Sequence, residues 1–253
     1  YDVLDYLKQN QSGVKKFDPQ ATPRLALSHT FSDAISLHAS VSSGFSPPSS
    51  SEIKNVDGSI NPNLQAEKGL NYEFNAKGNL LKSRLEYDLA LFKMDMKGEL
   101  IAQSIQQGIT IYNNSGKTSH NGVELSLSYQ LFKPEDDSRI LSLRPFAAIT
   151  YSDFKFKDYK TLNAQNEVTA TYDGNELTGI APWMVNAGID LETKIGLYFY
   201  GSYFYSDKLP LNDANTNYNP SYNVVNAKLG YKKQIIMHLE LTVYAGLDNI
   251  LDK

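Results

Sequence analysis

Hydrophobic and polar residues alternate with a period of two along most of the chain, which is typical of β-strands with one apolar and one polar face. Between residues 83 and 92, four apolar side chains alternate with three charged ones: Leu85, Tyr87, Leu89 and Leu91 against Arg84, Glu86 and Asp88. The pattern predicts about ten strands, at 24–31, 35–42, 69–78, 82–95, 111–131, 140–153, 182–193, 196–205, 222–232 and 237–248.

The links between these predicted strands alternate in length. Short links fall at 32–34, 79–81, 133–139, 194–195 and 233–236, and long links at 43–68, 96–110, 154–181 and 206–221. Antiparallel strands send successive links to opposite ends of a sheet, so all the long loops are expected at one end. This asymmetry is typical of outer-membrane β-barrels, which have short periplasmic turns and longer extracellular loops.

The distribution of charge and of aromatic residues agrees with a lipid-facing apolar side. From Gly69 onward the pattern predicts no charge on the apolar face, where Arg or Lys at mid-membrane would cost about 2–4 kcal/mol. One polar side chain, His29, falls on the predicted apolar face, next to Leu27 and Phe31. Aromatic rings near strand ends are expected at the membrane interface. They are Tyr129, Phe132, Tyr151, Phe154, Tyr203, Tyr205 and Tyr231.

A soluble β-sandwich also alternates, so a second interpretation stays open, in which the apolar face is a dry core. A soluble or surface-anchored glycan-binding sandwich would carry a second sheet on that face. A barrel would expose it to lipid. Ten strands with so polar an inner face are too few for a closed barrel, and unpaired edges are not tolerated in lipid. Further strands are therefore expected in a longer parent.

Composition excludes several classes of protein. The chain has 253 residues, 17 Tyr, no Cys and a net charge of −4, and its mean hydropathy is −0.39. The absence of Cys excludes disulfide scaffolds and thiolate metal sites, and scattered Lys and Arg argue against a nucleic-acid partner. No apolar run reaches the roughly 18 residues of a spanning helix, and residues 1–20 lack a signal-peptide core. Since no Met begins the chain, we expect a piece of something longer.

Four patterns that suggest chemistry do not support it on inspection. Residues 115–118 (Ser-Gly-Lys-Thr) mimic the end of a phosphate-binding loop, but Ile111 stands where the first Gly is required. His29, His38, His120 and His238 have no metal-ligand spacing. Residues 135–137 (Glu-Asp-Asp) are predicted to form a solvated turn, and Glu86 and Asp88 a hydrated wall. The sequence predicts no enzyme activity, no metal and no cofactor.

Five motifs, in order along the chain, resemble elements of the TonB-dependent receptor family. They cover nearly the whole chain from about residue 20. They are Pro23-Arg24-Leu25; Ser43-Gly44-Phe45-Ser46-Pro47-Pro48 with Asn61-Pro62-Asn63-Leu64-Gln65-Ala66-Glu67-Lys68; Asn113-Asn114-Ser115-Gly116 with Asn121-Gly122-Val123-Glu124; Tyr222-Asn223-Val224-Val225-Asn226; and Asp248-Asn249-Ile250-Leu251-Asp252-Lys253. In the family, the last of these commonly precedes one final strand.

The resemblance implies an all-β, antiparallel transmembrane β-barrel of about 22 strands with an N-terminal plug. Residues 1–253 would then be a partial barrel domain of about ten consecutive strands, roughly strands 12–21, without plug or final strand. Such a protein lies in the outer membrane of a Gram-negative-type envelope and crosses it many times. TonB acts through the plug, using the inner-membrane proton gradient.

The resemblance also implies a function, namely active import of a scarce nutrient, with a ferric siderophore as the first expectation. Cobalamin, sugars and peptides remain open. This part of the receptor would supply barrel wall and extracellular ligand-capture loops. Aromatic rings in or beside those loops are the ligand-binding candidates: Tyr159, Tyr172, Tyr218 and Tyr222.

Overall fold

The computed structural model describes residues 3–8, 11–55, 59–106, 109–136, 138–162 and 167–252. In these ranges the chain forms only β-strands, bridges and irregular links, so no helix there is long and apolar enough to cross a membrane. The strands, numbered in chain order, are β1 Val3–Lys8, β2 Gln11–Lys16, β3 Arg24–Ser32, β4 Ile35–Ser46, β5 Glu67–Leu80, β6 Leu85–Gln106, β7 Ile109–Tyr129, β8 Ile140–Phe156, β9 Lys160–Leu162, β10 Val168–Thr171, β11 Trp183–Thr193, β12 Leu197–Ser206, β13 Leu209–Pro210, β14 Tyr218–Asn219, β15 Tyr222–Ile236 and β16 Leu239–Leu247.

Ten of these strands form one antiparallel sheet, in the order β16-β15-β12-β11-β8-β7-β6-β5-β4-β3. Neighbouring strands of this sheet are consecutive members along the chain, which is an up-and-down meander. The sheet does not close, since β3 and β16 each have only one neighbour among the described residues. The remaining strands form three small hairpins, β1-β2, β9-β10 and β13-β14. The predicted number and order of the main strands are therefore confirmed, while several predicted strand ends differ from the observed ones.

One face of the large sheet is apolar and uncovered. Directly opposite residues of paired strands project to the same side, so the register assigns each side chain to a face. Leu27 and Leu25 are 75% and 74% exposed, and Leu247 at the far edge is 66% exposed. No second sheet covers this face within the described ranges. The β-sandwich alternative is therefore not supported.

The total surface area agrees with an open sheet. The chain exposes 16407 Å², whereas a compact globular protein of its mass would expose roughly 11,000 Å². Six hydrophobic residues of the described part are buried, and all lie in or beside long links rather than in the middle of the sheet: Ile53, Leu64, Ala66, Phe156, Tyr159 and Ala181. The sheet alone does not form a core.

The alternation of link lengths is confirmed at three of the four long links. Residues 47–66, 157–182 and 207–221 separate strands at one end of the sheet, and the turns at 33–34, 81–84, 130–139, 194–196 and 237–238 lie at the other. The prediction of a long loop at 96–110 is wrong, because β6 continues to Gln106 and β7 begins at Ile109. This link is a long two-stranded hairpin on the same end as the loops.

The prediction that no charge shares the apolar face from Gly69 onward is wrong at the loop end of the sheet. Lys93 lies opposite Tyr72, and Asp153 lies opposite Asn121, on the face that carries Leu91 and Tyr151. The reason is that these strands continue beyond the apolar band. Lys233, opposite Leu241, lies on the same face at the short-link end. Charges therefore occur only towards the two ends of the band, and the middle of the band is free of them.

Aromatic residues mark the loop end of the apolar band. Tyr151 and Trp183 are directly opposite each other, with ring centroids 4.6 Å apart, and Tyr205 lies opposite Val185 on the same face. The expectation that Phe154 sits with them at an interface is wrong. Phe154 projects from the polar face, where its ring stacks on His120 at 4.6 Å, because its position in the alternation is opposite to that of Tyr151.

Candidate functional site

The four tyrosines predicted to bind ligand all lie at the loop end, but not in one group. Tyr159 and Tyr172 belong to the 157–182 loop, and their ring centroids are 5.1 Å apart. Tyr218 is in the 207–221 loop, where the ammonium of Lys208 lies 4.7 Å from its ring centroid. Tyr222 begins β15 and packs against Phe204 at 5.9 Å. Contact of these four residues with a ligand stays a prediction.

Tyr159 is the most buried of the four, at 2% exposed. It packs with Phe156, Tyr172 and Leu177 in a small hydrophobic cluster. Its hydroxyl donates a hydrogen bond to Oδ2 of Asp213 over 3.0 Å, and burial, with this carboxylate, raises the pKa of the phenol. Tyr159 therefore stays protonated, and only a small part of its surface, at the cavity described below, is accessible.

Asp213 joins the 157–182 loop to the 207–221 loop. In addition to the bond from Tyr159, Oδ1 of Asp213 accepts a hydrogen bond from the Thr178 hydroxyl at 2.6 Å, and the backbone carbonyl of Asp213 accepts one from the side-chain amide of Asn175 at 2.8 Å. Side chains that bond in this way satisfy hydrogen-bonding groups of the loops, which have no neighbouring strand to do so. The two loops are consequently one hydrogen-bonded unit.

A second contact strengthens this interlock. Asn215, in the left-handed conformation with a φ of 51°, accepts from the Glu176 amide at 2.8 Å and donates to the Glu176 carbonyl at 3.0 Å. The Gly179 amide also donates to the Pro210 carbonyl at 2.9 Å. We call the set Asn175, Glu176, Thr178, Asp213 and Asn215, with Tyr159, the loop interlock.

An open cavity of about 290 Å³ lies where the interlock meets β5, β6 and β7. Glu67, Glu99 and Asp213 line it, together with Thr118 and Phe156. The carboxylate oxygens of Glu67 and Glu99 can accept hydrogen bonds from a ligand. The cavity thus offers both polar and aromatic contacts.

The polar face below the cavity combines hydrogen-bonding groups with flat aromatic rings. The Arg144 guanidinium pairs with Asp190 at 3.2 Å, and Ser40 and Asn71 both donate to Glu73. These contacts fit a hydrated wall, as predicted for Glu86 and Asp88, which are exposed on the same face.

Three rings on this face lie against glycines of the neighbouring strand. Phe92, Phe146 and Tyr198 are directly opposite Gly122, Gly188 and Gly230, and a Cβ on any of these glycines would overlap the ring. The glycines let the rings lie flat, so the aromatic surface does not project far from the wall.

The acidic turn at the short-link end is structural. Asp136 accepts two hydrogen bonds from the Arg84 guanidinium, at 2.8 and 3.0 Å, and one from the Lys133 amide. Arg84 also donates to the carbonyls of Gln130 and Leu131. This Arg84 clamp ties two neighbouring turns together. Asp137, the third residue of the motif, lies outside the described residues.

The remaining sequence patterns hold no site within the described ranges. Lys117 and Thr118 lie on β7, not on a loop before a helix. His29 packs edge-on against Phe31 at 4.4 Å, and His120 bonds the Thr118 hydroxyl at 2.8 Å. No group of three potential metal ligands occurs in the part of the chain that the structure describes.

The residues that sequence reasoning missed are the interlock groups Asn175, Thr178, Asp213 and Asn215. Each is a common loop residue, and its role depends on a partner about 35 to 39 positions away. No local spacing could have identified them. Two of the predicted tyrosines, Tyr159 and Tyr172, lie in the same loop as Asn175 and Thr178, but the contacts between the two loops were not predicted.

A family model described as "TonB dependent receptor-like, beta-barrel" matches residues 1–250. The ferric-pyoverdine BN7/BN8 receptor of Pseudomonas putida is 26% identical over 219 residues, covering 81% of this chain and 24% of the relative.

Solved receptors share the fold. The siderophore receptor of Acinetobacter baumannii has a TM-score of 0.72 at 19% identity, covering 98% of this chain and 34% of its own. The ferric yersiniabactin uptake receptor of Yersinia pestis has a TM-score of 0.68 at 18% identity, covering 96% and 34%. The chain thus spans about a quarter of the curated relative and about a third of each of these two structures.

Proposed function

Because the chain belongs to the TonB-dependent receptor-like β-barrel family, we propose that it forms barrel wall and ligand-capture loops of an outer-membrane receptor that imports a ferric siderophore. Transport is energised through TonB. The family consists of receptors rather than enzymes, and its members are outer-membrane β-barrels. The siderophore assignment rests on relatives named for ferric pyoverdine, ferric yersiniabactin and ferric citrate.

The observation that carries the membrane assignment is the uncovered apolar face. Burial of apolar surface stabilises a protein by about 25 cal/mol for each Å² and is its main driving force for folding. Even so, Leu229, Leu241 and Val243 are 57%, 50% and 59% exposed. A lipid bilayer provides the missing apolar environment. The polar face then borders a water-filled passage, where Arg144, Asp190 and Glu73 keep their hydration.

We infer that residues 1–253 are one part of a larger receptor domain. Among the described residues, the edge strands β3 and β16 have unpaired backbone groups on one side, and such groups cannot face lipid. Additional strands of the same receptor would pair with them and complete a barrel of about 22 strands. A plug domain within that barrel would contact TonB.

Ligand capture is assigned to the loop end, on the polar side of the interlock. The cavity beside Glu99 is open at this end, where the Tyr222 ring is exposed and the Tyr172 and Tyr218 rings are half-buried. Tyr159 lines the cavity and supports the loops through its hydrogen bond to Asp213. We propose that the ligand meets the Tyr172, Tyr218 and Tyr222 rings first and that the interlock holds the loops in place.

Uptake of labelled iron tests this function. The full-length receptor would be expressed in a host that lacks its own siderophore receptors, and ⁵⁵Fe would be supplied as ferric pyoverdine, ferric yersiniabactin or ferric citrate, or as siderophores from iron-limited medium of the source strain. We expect accumulation with at least one ligand and its loss when a protonophore collapses the proton gradient. Equal accumulation with and without the receptor for every ligand would refute the proposal.

A further inference from the structure

Lysines collect on the apolar face just beyond its apolar band, at the loop end. Register places five of them on this face: Lys68 on β5, Lys93 and Lys97 on β6, Lys117 on β7 and Lys155 on β8. We call these five residues the lysine patch. Four are exposed, and Lys155 is half-buried. Lys157 and Lys160, which follow β8, are exposed beside it.

The patch begins where the lipid-facing residues end. Lys93 is the next residue on the same face after Leu91, and Lys68 comes one same-face step before Leu70, which is 40% exposed. Phe45, directly opposite Lys68, is 38% exposed. One same-face step is about 7 Å of strand, and headgroups occupy roughly 5–8 Å on each side of the hydrocarbon core. The first lysines therefore reach headgroup level.

Carboxylates neutralise only part of the patch. Lys93 pairs with Asp95 at 3.6 Å, Lys117 with Asp158 at 2.9 Å and Lys155 with Asp153 at 2.6 Å. Glu176 lies opposite Lys155. Lys68 and Lys97 form no ion pair with any residue in the described ranges.

The two uncompensated lysines stand in a row with a third. Lys68 is directly opposite Lys97, and Lys97 is directly opposite Lys117. Like charges in directly opposite positions destabilise a sheet, so this row costs stability in the protein alone. A multivalent anion removes that cost, because one phosphate has several oxygens that can accept from adjacent ammonium groups.

We propose that the lysine patch binds phosphate groups of lipid headgroups in the outer leaflet, with Lys68 and Lys97 as the principal contacts. The inference rests on the proposed membrane placement but not on the identity of the imported ligand. Charge complementarity and continuity with the lipid-facing band select a lipid rather than a soluble anion. Bound headgroups would hold the receptor at a fixed depth and orientation.

Lipid binding by the purified full-length receptor tests the proposal. The double variant Lys68→Gln with Lys97→Gln leaves the paired lysines intact. Its control is Lys77→Gln with Lys233→Gln, which removes one lysine from the polar face and one from the short-link end of the apolar face. Native mass spectrometry would count adducts of bisphosphorylated lipid A, of its dephosphorylated form and of inorganic phosphate.

We expect the wild type and the control to retain bisphosphorylated lipid A, and the Lys68/Lys97 variant to retain at least about tenfold less, because charged hydrogen bonds are lost. Equal retention by both double variants would overturn the proposal. So would equal retention of dephosphorylated lipid, or displacement of the lipid by inorganic phosphate, which would indicate a soluble anion. Iron uptake by the Lys68/Lys97 variant is measured in parallel. Normal uptake together with unchanged lipid retention would contradict the lysine-patch proposal and leave the proposed transport function standing.

Discussion

At Tyr159 a single hydroxyl group connects two loops through a partner 54 residues away. The sequence identified this tyrosine as a ligand-binding candidate because it is an aromatic residue in a long loop. Its burial and its bond to Asp213 could not be inferred, since both depend on how the loops fold against each other. The face of most strand residues, by contrast, followed from their position in the alternation.

Replacing Tyr159 with Phe should loosen the interlock while leaving its packing in place. The variant loses a hydrogen bond to a carboxylate, and we expect local opening to become easier by about 1–3 kcal/mol. Hydrogen exchange at the amides of Leu177 and Gly179 would measure the effect. Tyr172→Phe is the matched control, because the Tyr172 hydroxyl makes no hydrogen bond within the described ranges. Equal exchange in both variants would contradict the role given to Asp213.

The glycines under the flat rings provide a second residue-scale prediction. Gly122→Ala places a methyl group against the Phe92 ring and the Tyr151 carbonyl, and such overpacking should destabilise the folded state by about 1–3 kcal/mol. Gly44→Ala on β4 is the control, since nothing lies within 4 Å of its added Cβ. Thermal unfolding midpoints in detergent would show a decrease for Gly122→Ala only. An equal decrease in the unfolding midpoint of Gly44→Ala would show that overpacking against the Phe92 ring is not the cause.

Strands were predictable as elements, and their ends were not always so. The alternation between residues 83 and 92 predicted β6 correctly, but its continuation to Gln106 was missed. Register shifts occur between Lys97 and Glu99 and between Glu99 and Leu100, and Gly98 there has a φ of 68°. A bulge changes which residues share a face. The alternation of polar and apolar residues is therefore interrupted in the sequence, although β6 and β7 remain paired.

The short-link turns carry a pH-dependent prediction. The hydrogen bonds from Arg84 and from the Lys133 amide lower the pKa of Asp136 below its ordinary value of 3.8. Because the folded pKa is depressed, the clamp stabilises the protein fully above that value and loses its effect as the pH falls through the lower folded pKa. We expect Asp136→Asn to lower the unfolding midpoint at about pH 6 and to differ little from wild type at the acid end of the range.

Glu135→Gln is the matched control for the Arg84 clamp. Glu135 is the exposed carboxylate next to Asp136, and it forms no ion pair in the described part of the chain. Unfolding midpoints of the three proteins, recorded in detergent between about pH 6 and pH 3, make the comparison. If Glu135→Gln loses as much stability at pH 6 as Asp136→Asn, the clamp is not the cause.

At the scale of the whole molecule, the sequence predicted the architecture because face segregation and link lengths are repeated in every strand. Ten strands each contribute independent support, so single errors such as Phe154 or the 96–110 link do not change the result. The extent of the apolar band was less predictable. It depends on where each strand leaves the bilayer, and the charges at Lys93 and Asp153 mark that exit.

Two adjacent alanines test the lipid-facing assignment. Ala147 is on the apolar face, opposite Leu127 and Ala187, whereas Ala148 is on the polar face, opposite Ser126 and Asn186. Ala147→Arg should destabilise the receptor in lipid vesicles by about 2–4 kcal/mol. Ala148→Arg projects into water and should cost far less. Urea unfolding of the full-length receptor from vesicles measures both, and equal losses would show that the apolar face does not meet lipid.

The loop interlock has an evolutionary consequence. Capture surfaces must diversify when nutrients change, yet a change in the 157–182 loop that displaces Asn175 or Thr178 removes one of the hydrogen-bond donors to Asp213. The unit that natural selection can exchange is therefore the pair of loops, inherited together. Grafting one loop alone into a related receptor should produce a misfolded surface, while grafting both should carry the specificity with them.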